Sequence, residues 1–315
     1  MENNGTERKN ISSKLLFVLN IVLIVLIITL FFVVYFKKIQ KDRTLEQNSF
    51  VETAKIENVN VTARAAYVFD LNTGRVLYKK NELEQLPLAS LTKLMMAVTA
   101  IELLPRDANI RIKKEFLAED GDNGLLSEES WKLSNLLDFS LIVSSNDGAR
   151  SIASVIGSMQ LNTKDYELGR KEFIRQMNKK AQELGLSQTY FVNESGLDVG
   201  SISGGYGTAI DVANLIGYII RNNPEILEAT KYEKILVSSE DKDHIAKNTN
   251  KEVTGIPGLL ASKTGFTDLA GGNLAVVFDA SMGRPIVVVV LGSTLEGRFS
   301  DVETLAKAGL DIISK

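Results

Sequence analysis

PLASLTKLMMAVTAIELLP, residues 87–105, decides how this chain is read. From Ser90 to Leu104 its apolar residues surround the segment instead of forming one stripe. That predicts a helix buried on all sides, stopped by Pro105. A lysine in the first turn of such a helix loses its hydration, which lowers its pKa toward that of a usable base. Ser90 and Lys93 stand at i and i+3, on one helix face, so the amine reaches the hydroxyl. A serine hydroxyl is a weak nucleophile and needs such a base. The helix N-terminus also offers backbone N–H to a developing oxyanion.

Working outward, AAYVFD (residues 65–70) and VLYKKN flank Asn72-Thr73-Gly74 and predict a β-hairpin. Helical and loop segments mix over about 113–230. NLAVVFDA (273–280) and RPIVVVVLG (284–292) read as two late strands, and a closing helix is expected near 299–313. Strands at both ends with helices between them indicate an α/β protein of the α+β type. Its sheet is antiparallel and flanked by helices.

Residues 15–36, LLFVLNIVLIVLIITLFFVVYF, form a 22-residue stretch without charge. At about 1.5 Å per residue it reaches roughly 33 Å, enough for a hydrocarbon core of about 30 Å. A cleaved signal peptide has a shorter apolar region and a small-residue cleavage step. Here the stretch runs into Tyr35-Phe36-Lys37-Lys38, so an uncleaved transmembrane helix is expected. The basic residues Arg8, Lys9 and Lys14 before it nearly balance Lys37, Lys38, Lys41 and Arg43 after it, so charge does not choose the orientation. The expected organisation is a short cytoplasmic segment (1–14), an anchor in the lipid bilayer (15–36), a polar stalk (37–58) and a catalytic domain (59–315).

Composition narrows the chemistry. A net charge of −3 gives no basic excess for nucleic acid. With no cysteine and one histidine, a Cys/His zinc site, a disulfide scaffold and a cysteine nucleophile drop out, and no metal or organic cofactor is implied. A Ser-His-Asp triad would have to use His244, which sits in the polar stretch DKDHIAKNTN, and there is no G-x-S-x-G elbow. His244 is therefore expected to be a loop or structural residue.

S-x-x-K alone is weak evidence, since a chain this long holds it about once by chance. A second copy, Ser239-Glu240-Asp241-Lys242, provides the contrast: it lies in a solvated run with nothing apolar to neutralise a lysine. Two further clusters accompany Ser90. Ser144-Ser145-Asn146 follows an apolar run and by itself could be a helix cap or turn. Lys263-Thr264-Gly265 is expected just before a strand, where charge and hydroxyl can meet a carboxylate and the glycine admits a ligand close to the backbone.

PLASLTKLM (87–95), SSND (144–147) and SKTGFTDLAGGNL (262–274), in that order, resemble the low-molecular-mass penicillin-binding proteins of the D-Ala-D-Ala carboxypeptidase type. AAYVFDLNTGRVLY, MNKKAQELGLSQTYFVNESGLD, GTAIDVANL and NTN (248–250) extend the resemblance over roughly 60–315. It implies a β-lactamase/transpeptidase-like fold, and together with the expected span at 15–36 it makes the chain a bacterial membrane protein, single-pass, with its catalytic domain expected on the extracytoplasmic side. Its substrate would be the peptidoglycan stem peptide, and β-lactam antibiotics would be covalent inhibitors. The resemblance implies an acyl-enzyme on Ser90, Lys93 as base, Ser144 as proton relay to the leaving amine, and Asn146 holding Lys93 and the substrate amide. Lys263 and Thr264 would bind the terminal carboxylate, Gly265 would let it approach, and the oxyanion would rest on backbone N–H of Ser90 and Phe266.

Familiar members also carry a β-rich second domain and a C-terminal amphipathic anchor. Here the chain reaches Lys315 just after the last helix, and the N-terminal span is expected to replace that anchor. GLLASKTG also departs from the usual short glycine-led approach to K-T-G. Three other readings compete: a D,D-endopeptidase of the same family, a class A β-lactamase, and a non-catalytic membrane-tethered penicillin-binding sensor. The second would need E-x-x-L-N, which KKAQELGLSQ lacks. The third is opposed by the intact Ser90, Lys93, Ser144, Asn146, Lys263 and Thr264.

Overall fold

The computed structural model describes residue 26 and residues 28–38, 56–121, 124–281 and 283–313. The chain divides into two compact units, 1–54 and 55–315. In the first, residues 28–38 are helical with exposed side chains. Residues 1–14 and most of 15–36 and 37–58 lie outside the described residues. Among those described, no helix is long and apolar enough to cross a membrane.

The second unit is built on a five-stranded antiparallel sheet. In chain order its strands are β1 (Ala65–Asp70), β2 (Val76–Lys80), β10 (Leu259–Thr267), β11 (Gly271–Asp279) and β12 (Pro285–Ser293). They lie side by side as β10-β11-β12-β1-β2, so the two ends of the domain sequence share one sheet. All six residues of β1 are buried. Successive side chains of a strand point to opposite faces. Ala65, Tyr67 and Phe69 join Val277, Val287 and Val289 in one core, while Ala66 and Val68 join Val276, Val288 and Val290 in another. Both faces are covered, which is why these strands read as unbroken apolar runs.

The expected hairpin is present. The Asp70 carboxylate accepts from Asn72 N at 2.9 Å and Thr73 N at 3.1 Å, Gly74 takes φ +71°, and Arg284 Nε donates to Asp70 at 2.7 Å.

Between β2 and β10 lie short strands β3 (Leu86–Pro87), β4 (Asn109–Arg111), β5 (Ser130–Lys132), β6 (Tyr190–Phe191), β7 (Gly205–Gly207), β8 (Lys234–Ser238) and β9 (Asp243–Lys247). The helices are α1 (Thr92–Leu103), α2 (Leu133–Ile142), α3 (Asn146–Leu161), α4 (Tyr166–Glu183), α5 (Ala209–Asn222) and α6 (Gly297–Ile313). Helix α6 packs on β11 and β12 and covers the second core.

Helix α1 is the central helix anticipated from 90–104. Residues Thr92 to Ala100 are all buried, and α1 packs against α2, α3, α4 and α5. It begins after a 3₁₀ turn, Ala89–Leu91. It ends because Leu104, ahead of Pro105, is forced extended (φ −144°, ψ 139°). Burying Leu94, Met95 and Met96 contributes about 1.5–3 kcal/mol each, which offsets the desolvation of Lys93 inside the same helix.

Residues 263–265 correct one expectation: they lie within β10, not before a strand. LLASKTGFT lacks an apolar run because β10 sits at the sheet edge. It becomes a strand through pairing with β11, Lys263 opposite Ala275 and Gly265 opposite Asn273.

His244 is structural. It lies in β9, its Nε2 is 2.8 Å from Glu129 Oε1, and its ring meets Trp131 at 4.8 Å between centroids. The second S-x-x-K closes the β8–β9 hairpin. Ser239 Oγ accepts from Lys242 N at 2.9 Å and Asp241 N at 3.2 Å, and Lys242 is exposed.

Candidate active site

Ser90 occupies the 3₁₀ turn that leads into α1, and Lys93 the first turn of α1 itself. Ala89, immediately before Ser90, has φ +47°, a conformation that costs a non-glycine residue free energy and clusters at functional sites. The backbone of Gly196 presses on this turn: a Cβ there would stand 1.8 Å from the Ala89 carbonyl. Ser144, at φ +60°, is a second residue of this kind.

The middle motif does two jobs. Ser145 is the N-cap of α3, its Oγ accepting from Gly148 N at 3.0 Å. That cap sets Asn146 at the first helical position, beside Lys93.

Lys93 Nζ makes three short contacts: Ser90 Oγ at 3.0 Å, Asn146 Oδ1 at 2.7 Å and the Ser195 carbonyl at 2.7 Å. A neutral amine has two N–H donors and one lone pair. The two carbonyl oxygens accept the two N–H, which leaves the lone pair for the Ser90 hydroxyl. Lys93 is 0% exposed, and burial pushes its pKa down to about 7, against the upward pull of Glu194 and Glu119. At neutral pH a large share of it is therefore in the form that can take a proton.

The opposite wall comes from β10. Lys263 Nζ donates to Ser144 Oγ at 2.8 Å and to the Thr264 carbonyl at 2.9 Å. Thr264 Oγ1 is 2.6 Å from Thr249 Oγ1. A Cβ on Gly265 would stand 2.9 Å from the Leu88 carbonyl and 3.2 Å from Ser90 N, so only glycine lets β10 lie this close to the nucleophile's backbone. Phe266, the next residue, is 45% exposed.

Lys263 is not set apart from Lys93 by exposure. At 1% exposed it is as buried as Lys93, and burial, Lys93 and Arg298 push its pKa well below the ordinary lysine value. A substrate carboxylate beside it would restore the proton.

The structure joins Ser90, Lys93 and Asn146 by hydrogen bonds, joins Lys263 to Ser144 and to the Thr264 backbone, and lays Gly265 against the Ser90 backbone with Phe266 next to it in β10. Sequence reasoning missed the Ser195 carbonyl, Thr249 and Arg298, whose Nη1 donates to the Gly265 carbonyl at 2.8 Å. NESGLD and NTN carried the first two only as family-like stretches, and Arg298 had no signal.

A serine whose hydroxyl meets a desolvated lysine, with a second serine bonded to a second lysine on an edge strand, defines a serine acyl-transfer site of the Ser-Lys type. The sequence pattern of the D-alanyl-D-alanine carboxypeptidases, peptidase family S11, matches residues 51–294, and the chain belongs to that family. It is 31% identical over 247 residues to D-alanyl-D-alanine carboxypeptidase DacF of Bacillus subtilis (strain 168), covering 76% of this chain and 60% of that protein's length. It is 30% identical over 239 residues to the D-alanyl-D-alanine endopeptidase of Escherichia coli (strain K12), covering 73% and 71%. Penicillin-binding protein D2 of Listeria monocytogenes, solved in its ampicillin-bound form, superposes with a TM-score of 0.69 at 30% identity, covering 80% of this chain and 98% of that one. The family and the penicillin-binding fold expected from the three motifs are borne out.

Proposed function

We propose that this protein is a serine D-Ala-D-Ala carboxypeptidase acting on peptidoglycan stem peptides. The observation that carries the reading is the set of three oxygens around Lys93 Nζ, one of them the Ser90 hydroxyl. Lys93 takes the Ser90 proton as Oγ attacks the carbonyl carbon of the penultimate D-Ala. The oxyanion is held by backbone N–H of Ser90 and Phe266. Ser144, hydrogen-bonded to Lys263, passes its hydroxyl proton to the leaving nitrogen as the C–N bond breaks and D-Ala departs, and takes in its place the proton that Lys93 removed from Ser90, which returns Lys93 to the neutral amine. Lys263 and Thr264 hold the terminal carboxylate, and Asn146 orients Lys93 and the substrate amide. Water then attacks the Ser90 ester, its proton going to Lys93 and from there to Ser90 Oγ as the ester bond breaks, which frees the shortened peptide and restores the enzyme. A β-lactam ring would acylate Ser90 by the same first step, and the similarity to the Listeria protein supports this.

The similarity to the Escherichia coli endopeptidase favours a second reading, in which the leaving amine belongs to a cross-link and the chemistry is unchanged. One paired assay separates the readings. Fluorescent penicillin should label the protein, and D-Ala should be released from a pentapeptide faster than a cross-linked dimer is cut. Labelling without D-Ala release, but with dimer cleavage, would select the endopeptidase, and no turnover of either substrate would select a sensor.

The uncharged stretch 15–36 and the location of peptidoglycan support a single-pass anchor with the N-terminus in the cytoplasm and the catalytic domain outside the bacterial membrane. Protease added to intact spheroplasts should digest the domain and spare the first residues. A protected domain would overturn this topology.

A further inference from the structure

Two of the three oxygens around Lys93 Nζ are carbonyls, and both come from segments joined to one partly buried ion network. The Ser195 carbonyl belongs to the loop after β6. Asn193 Oδ1 shapes that loop, accepting from Gly196 N at 2.7 Å and Ser195 N at 3.2 Å. Glu194, 0% exposed, receives Arg170 Nε on its two oxygens at 3.0 and 2.9 Å. The other carbonyl, Asn146 Oδ1, is set by Asn146 Nδ2 donating to the Asp120 carbonyl at 2.7 Å. The neighbour of Asp120, Glu119, accepts from Arg150 Nη1 at 2.6 Å and lies 4.0 Å from Arg170 Nη2. Arg170, on α4, therefore stands between the carboxylates of both segments.

We propose that Glu194, paired with Arg170, is a positioning residue for Lys93: it fixes the Ser195 carbonyl against Nζ and places a negative charge behind the base. The proposal rests on the reading of Lys93 as the general base. Glu194 is not that base itself, because it is fully buried and both its oxygens are taken by one guanidinium. A buried ion pair is often no more stabilising than an apolar pair of the same size, so stability gives little reason for a carboxylate here. Its place in the chain, one residue from an acceptor of Lys93, gives a better one.

The groups facing Lys93 are the Ser90 hydroxyl from its own turn, Asn146 from α3, Glu194 from the loop after β6, Glu119 from the segment before β5, and Lys263 from β10. Burial drives Lys93 toward the neutral amine, and Glu194 and Glu119 oppose it. Acylation needs the neutral amine, so its rate should rise with pH through an acid limb. Removing the Glu194 charge removes an upward push, and the limb should move to lower pH.

The test uses the full chain in detergent and follows acylation by fluorescent penicillin over a range of about pH 5–9. Wild type should show the acid limb, and Lys93→Arg should acylate at a small fraction of its rate. In Glu194→Gln the limb should fall by roughly half a pH unit or more. Glu194→Asp keeps the charge, so it should hold the limb in place and lower only the plateau. Glu194→Gln leaves Arg170 without its partner. If melting shows that variant unfolded, the double variant Glu194→Gln/Arg170→Gln, which removes both charges, should show a smaller shift in the same direction, because the lost Arg170 cation had pushed the other way. A limb that stays in place or rises in the folded variant overturns the proposal while leaving Lys93 as base. A wild-type profile without an acid limb, or a Lys93→Arg rate equal to wild type, overturns both.

Discussion

Ser90→Ala should abolish covalent labelling by penicillin and lower D-Ala release by at least roughly 10³-fold, while Ser239→Ala should label at the wild-type rate. The two serines share S-x-x-K and nothing else. Ser90 stands in a 3₁₀ turn, with a fully buried lysine amine 3.0 Å from its Oγ. The Ser239 hydroxyl closes a hairpin by bonding to the backbone of Asp241 and Lys242, and Lys242 itself is exposed. Losing those bonds should cost Ser239→Ala about 1 kcal/mol of stability, visible as a lower melting temperature and not as a slower label. Labelling that survived in a folded Ser90→Ala protein would remove the mechanism. Its loss in a folded Ser239→Ala protein would point to the wrong serine.

Lys93→Arg should slow acylation by 10²–10⁴-fold, about 3–5 kcal/mol of barrier, whereas Lys263→Arg should keep a measurable rate. Arginine cannot give up its proton at working pH, so the lone pair that faces Ser90 disappears with Lys93. At position 263 the required features are a positive charge and donors toward Ser144 and a substrate carboxylate, and arginine has both. The larger guanidinium must still enter a site that is 1% exposed, so some loss is expected, greatest for substrates with a free carboxylate. Burial and the neighbouring cations favour a neutral Lys263 in the empty site, so carboxylate binding should take up a proton and KM should rise with pH. Circular dichroism and melting establish that both variants are folded. If Lys93→Arg acylated as fast as Lys263→Arg, another group would be the base.

Short-range features of this chain were open to inspection in the sequence. Ser90 and Lys93 meet because helical geometry brings i and i+3 together, whatever surrounds them. The alternating and continuous apolar runs at 65–70, 273–280 and 284–292 mark strands, and both faces of those strands are indeed buried. His244 was legible as a loop or structural residue because it sits in a polar stretch and no G-x-S-x-G elbow exists, though its bond to Glu129, 115 residues away, was not. The order of the three motifs was enough to place the chain in its family.

What the tertiary structure decided concerns groups far apart in sequence. The backbone carbonyl of Ser195 reaches Lys93 across 102 positions, and a backbone oxygen has no residue type by which to recognise it. Strand β10 carries too few apolar residues to announce itself and forms because β11 offers it a ladder. The sequence presented Lys263 as a charge that could meet a carboxylate, with no sign of its burial. Enclosure by Ser144, Thr264 and the neighbouring Arg298 leaves it as desolvated as Lys93, since burial is set by how separate segments close around a side chain and not by the residues beside it.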